Sequence, residues 1–79
     1  MSTEKVRNIL TQHGRLSSEV NTLENDSDLY NAGLTSLATV GLMLALEDEF
    51  DVEFPDSMLS RKTFGSIESI TDAIEELQD

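Results

Sequence analysis

The chain has no cysteine among its 79 residues. That absence removes disulfide frameworks, thiolate metal sites and a cysteine nucleophile together, and makes the cytosol the expected compartment. Basic residues are scarce too: five Lys and Arg stand against 16 Asp and Glu, a formal charge of −11. A surface of that sign repels nucleic-acid backbones and anionic lipid headgroups, so the expected partners are basic proteins, with no nucleic acid and no membrane. The same charge opposes compaction, and added salt or divalent cations are expected to raise the melting temperature. No apolar run approaches the roughly 20 residues that span a bilayer. The start Met1-Ser2-Thr3-Glu4-Lys5 lacks the basic residues and apolar stretch of a signal peptide. A soluble, unprocessed, cytoplasmic monomer is expected.

Catalytic and metal signatures are equally thin. The single histidine, His13, falls on an apolar stripe with no nucleophile elbow to serve, and a partly buried structural role is expected for it. The acidic run Glu24, Asp26 and Asp28 lacks the Gly at position six and the bidentate Glu at position twelve of a calcium loop, so no metal site is expected. There is no Gly-rich phosphate cradle, which argues against nucleotide hydrolysis. With 38% apolar residues, the chain reads as one domain over 1–79 with a modest core and no deep catalytic cleft.

The pattern that is present is helical. Val6, Ile9, Leu10 and His13 recur at helix spacing after Ser2 and Thr3, either of which suits a cap, and Gly14 follows as a stop. Residues 15–33 turn polar, with Leu16, Val20, Leu23, Leu29 and Tyr30 scattered through them, and predict a long loop pinned to the core. Thr35 and Ser36 open a second helix that runs to about Phe50, and Asp51 to Pro55 ends it. Asp56 to Arg61 leaves room for one or two helical turns. Ile67, Ile70, Ala73, Ile74 and Leu77 mark a last helix, with Ser66 as its cap and Glu68 in its first turn. Only Phe50 to Phe54 alternates at all, so the fold class is all-α.

At about 100° per residue, the second helix gathers Leu42, Met43, Leu46 and Phe50 on one apolar side, the expected core face. The opposite side carries Leu37, Val40, Gly41, Leu44, Glu47 and Asp48. Such a mixed face either touches a second neighbour in a small bundle or docks a partner, and residue types alone leave both open. Ser36 is open in the same way, because serine at a helix mouth is the commonest way to satisfy free backbone donors.

The run Asp28-Leu29-Tyr30-Asn31-Ala32-Gly33-Leu34-Thr35-Ser36-Leu37, then Ala45-Leu46-Glu47-Asp48-Glu49-Phe50, then Phe54-Pro55-Asp56, resembles the acyl carrier protein family over essentially the whole chain. The resemblance implies a four-helix bundle of three main helices and one short one, with a long first loop. It implies that a phosphopantetheinyl transferase joins 4'-phosphopantetheine covalently to Ser36, and that acyl or aminoacyl groups ride on the arm as thioesters between enzymes. No catalysis of its own is implied. The alternative is an unmodified carrier-like module that docks a partner through the second helix. Two departures matter. Thr35 stands where the family has Asp, and Ala38 and Gly41 stand where its docking helix has acids. They imply partners other than standard fatty-acid synthase enzymes, reading shape and apolar contact through Leu37, Val40 and Leu44. The Thr-Ser-Leu variant is similar to specialised carriers loaded by amino acid:carrier protein ligases. Leu46, Met58, Leu59 and Ile67 are candidate lining for an acyl cleft, or plain core.

Overall fold

The computed structural model describes residues 2–13 and 20–78. Helix α1 spans Ser2–His13, α2 Ser36–Phe50, α3 Arg61–Phe64 and α4 Ile67–Gln78, with short 3₁₀ turns at Val20–Thr22 and Asp56–Met58. No strand occurs among the described residues; the Phe50 to Phe54 alternation is the end of α2 followed by loop. Helix α1 already includes Ser2 and Thr3, so neither precedes it, and the Gly14 stop lies outside the described residues.

Helix α4 follows its sequence pattern closely. Ile67, Ile70, Thr71, Ala73 and Ile74 are buried, a stripe at three- and four-residue spacing. Ser66 caps it, its Oγ accepting from Ser69 N at 3.1 Å. Helix α1 turns Val6, Ile9 and Leu10 inward and packs against both α4 and α2. Helix α2 contributes Leu42 and Leu46, both fully buried, with Met43 and Phe50 half-buried beside them. Each fully buried Leu contributes roughly 1.5–3 kcal/mol of apolar transfer energy. Leu46 and Ile67 are therefore core and not cleft lining.

The connection before α2 is held at several points. Leu29 N donates to Gly65 O and Glu68 N to Asn25 O, both at 2.8 Å, tying it to the α3–α4 junction. Arg7 adds Nη1 to Val20 O and Nη2 to Asn25 Oδ1, each at 2.8 Å, tying it to α1. Leu29 and Leu34 are buried beneath. After α2, Asp51 adopts the left-handed conformation at φ 54° and ends the helix. Glu47 Oε2 then accepts from Phe54 N at 2.9 Å, and the Phe54 ring meets Phe64 edge-on at 5.3 Å between centroids. Those contacts tie α3 to the end of α2 through the intervening loop. The short helical region extends to Phe64, three residues beyond the expected end at Arg61.

Candidate functional site

Ser36 is delivered by a turn whose every step is hydrogen-bonded. Asp28 Oδ1 accepts from Tyr30 N at 3.0 Å and Asn31 N at 3.3 Å, Ala32 N donates to Asp28 O, and Leu34 N returns to Leu29 O at 3.0 Å. Reversing the chain that tightly requires Gly33 at φ 116°, which a side chain would strain. Thr35 follows in extended geometry and performs the cap: its Oγ1 accepts from Ala38 N at 3.0 Å and its carbonyl from Thr39 N at 2.9 Å. Ser36 is thus the first helical residue, not the cap. It is exposed, and its hydroxyl is engaged by no other described residue. The capping duty therefore falls on the neighbour.

A hollow of about 290 Å³ opens next to Ser36. Thr39 and Met43 of α2, Tyr30 of the incoming turn, and Arg61 and Phe64 of α3 line it, with Val40 and Leu59 at its edge. Of the four candidate cleft residues, only Leu59 reaches it. Arg61 lies over the Tyr30 ring at 4.3 Å from the centroid. Sequence reasoning passed over Arg61; the available signal was that Arg61-Lys62 is the one adjacent basic pair in a strongly acidic chain.

The six candidate partner residues separate into three settings. Leu37 is 84% exposed and Leu44 56%, and with Gly41 and Asp48 they follow a strip bordered by Gln12 and His13 of α1. Val40, 51% exposed, borders the Ser36 hollow instead. Glu47 bends inward to Phe54 N and is half-buried. His13 is exposed, contrary to the partly buried role expected of it. The physical reason stands opposite: Gly41 has no side chain to cover it, and a Cβ built there meets nothing within 4 Å.

Among the described residues, the start of α2 thus presents an exposed serine beside a largely apolar hollow with one cation in its wall, in a small helical protein. Residues 5–74 match the family described as "Phosphopantetheine attachment site", and the chain belongs to it. Members carry the group covalently, and the residues present fit it: a free hydroxyl and an adjoining hollow walled by Met43 and Phe64 with Arg61 at the side. The chain is 47% identical over 74 residues to the aminoacyl carrier protein of Agrobacterium fabrum, covering 94% of this chain and 89% of that one. It superposes with a TM-score of 0.92 and 45% identity on the crystal structure of an engineered Bradyrhizobium japonicum glycine:[carrier protein] ligase complexed with carrier protein from Agrobacterium tumefaciens and ATP, covering 96% of this chain and 99% of the matched one. A holo acyl carrier protein from Nitrosomonas europaea matches with a TM-score of 0.83 and 35% identity, over 96% of this chain and 94% of that one.

Proposed function

We propose that residues 1–79 act as a single aminoacyl carrier domain in the cytoplasm, with Ser36 Oγ as the attachment atom. The observation that carries this reading is the division of labour at the start of α2: Thr35 satisfies the helix, and Ser36 is left exposed for chemistry. When attached, the group supplies a terminal thiol, which this cysteine-free chain lacks, to hold cargo as a thioester. The chain itself is non-catalytic. It anchors the arm, limits its reach, and offers the Leu37, Gly41, Leu44 and Asp48 strip to enzymes that load and unload it, so that successive encounters occur at high local concentration.

An amino acid is the favoured cargo for two reasons. The first is similarity to the carrier protein bound by a glycine:[carrier protein] ligase. The second is that Leu46 and Ile67, which a long acyl chain would have to displace, are fully buried in the core. A transferase working on coenzyme A is expected to add one phosphopantetheine, read as a single gain in intact mass, and Ser36→Ala should abolish it. The holo-protein incubated with ATP, glycine and a glycine:[carrier protein] ligase should then gain one aminoacyl group. No gain with any transferase, including one from the source organism, would leave an unmodified docking module.

A further inference from the structure

The basic side chains of this acidic chain are engaged in different ways. Lys5 Nζ lies 3.8 Å from a Glu49 carboxylate oxygen and 5.9 Å from the Phe50 ring centroid. Arg7 is hydrogen-bonded to Val20 O and Asn25 Oδ1. Arg61 pairs with no carboxylate among the described residues although the chain has 16 acids, and its guanidinium is held on the Tyr30 ring. A guanidinium seated over a ring face keeps N–H donors at its edges for a further acceptor. Among the described residues, Arg61 is also the only charged one lining the hollow that contains Ser36. Asp26 and Asp28 border Arg61 in a separate recess, where Lys62 also lies, and not in the Ser36 hollow.

We propose that Arg61, braced by Tyr30, binds the phosphodiester joined to Ser36 and thereby lays the arm in the hollow between Met43 and Phe64. This deepens the attachment reading and rests on it. A phosphodiester brings one negative charge to a surface already at −11, and the general field drives such a group outward. A guanidinium suits it because two parallel N–H donors match two phosphate oxygens. The apolar body of the arm then lies against Met43, Phe64 and Leu59, while its far end stays close enough to the rim to be withdrawn by an enzyme docked on α2. The parked state is an exposed ion pair. Raising ionic strength from about 0.01 M to about 1 M shortens the screening length from roughly 30 Å to roughly 3 Å and should release it.

The test uses the holo-protein, with loading first verified by mass, and NMR of the arm. Wild type is expected to give nuclear Overhauser contacts from the pantetheine methyl groups to the Tyr30 ring and the Met43 methyl, and a ³¹P phosphodiester resonance that moves with salt. Arg61→Gln should lose those contacts and show a salt-independent ³¹P shift equal to that of the unfolded holo-protein. Arg61→Lys should recover part of the effect and Lys62→Gln none of the loss, with the amide spectrum away from the hollow unchanged in all three. An arm spectrum in Arg61→Gln identical to wild type overturns the proposal while leaving attachment intact. Equal losses in Lys62→Gln and Arg61→Gln also overturn it, since the effect would belong to the general field. Absence of mass gain on Ser36 fails the attachment reading instead.

Discussion

At the scale of the residue, the start of α2 depends on which of two adjacent hydroxyls does the structural work. Thr35 accepts from Ala38 N, and removing that acceptor leaves a free donor at the helix mouth. Thr35→Ala is therefore expected to lower unfolding free energy by about 1 kcal/mol in urea melts. Thr35→Asp should be neutral or stabilising, because Asp caps as well and its charge suits the helix start. If Thr35→Ala were neutral while Ser36→Ala destabilised, Ser36 would be the true cap and its hydroxyl would not be free. The resemblance to carrier proteins pointed to Ser36, and the structure adds that the cap is its neighbour Thr35. Capping depends on which of two neighbours is extended, and residue type does not encode that. The part Asp28 plays in the turn was not legible for a similar reason. Its carboxylate serves Tyr30 N and Asn31 N, a local, aperiodic contact with no hydrophobic pattern to announce it.

At the scale of the element, the mixed face of α2 divides into a side chain that serves the fold and a strip left exposed, which the proposed function assigns to docking. Glu47 belongs to folding, since its carboxylate receives Phe54 N and holds the loop that positions α3. Glu47→Lys is expected to cost about 1 kcal/mol or more of stability and so confounds any binding measurement. Asp48→Lys is the clean probe of charge. In titrations against a glycine:[carrier protein] ligase, Asp48→Lys should weaken binding less than Leu44→Asp, which places a charge in the exposed apolar strip. The reverse order would mean that charge, not shape, selects the partner. Gly41 poses the complementary case. Glycine inside a helix costs roughly 0.5–1 kcal/mol relative to alanine, and no neighbour in the folded chain requires it, because a Cβ there is unobstructed. Gly41→Ala should accordingly raise stability by about that amount while weakening ligase binding, as expected where a partner's backbone approaches closely. Stabilisation without loss of binding would remove Gly41 from the interface. Periodicity made α4 and the core side of α2 legible, since burial follows spacing there. It misplaced His13, which keeps the stripe's spacing but lies opposite a residue with no side chain.

At the scale of the whole molecule, charge sets the terms on which the bundle holds together. Helix α2 ends in Glu47, Asp48 and Glu49 followed by Asp51 and Glu53, with no basic residue in its last turn, so like charges crowd the negative end of the helix dipole. Lys5 relieves Glu49 from α1, across a gap of 3.8 Å between two well-exposed side chains, and an exposed pair of that kind contributes little. Repulsion is therefore largely uncompensated within the fold and is open to screening by solvent ions. Raising salt from about 0.02 M to about 0.5 M is expected to increase the melting temperature by roughly 4–8 °C, the shift that about 1 kcal/mol produces in a domain of this size. Divalent cations should act in the same direction by denser screening. Among the described residues no group of three His, Asp or Glu side chains converges enough to hold an ion, so their effect should be graded with concentration. A saturating step in the melting temperature at low divalent concentration and fixed ionic strength would reveal a discrete site that this charge distribution does not call for. A flat response to both salt and divalent ions would mean that the excess acids are too dispersed to oppose folding. Charge reversal of Asp48, which has no ion pair of the kind Glu49 makes with Lys5, should then leave stability unchanged, whereas crowding at the end of α2 requires it to rise.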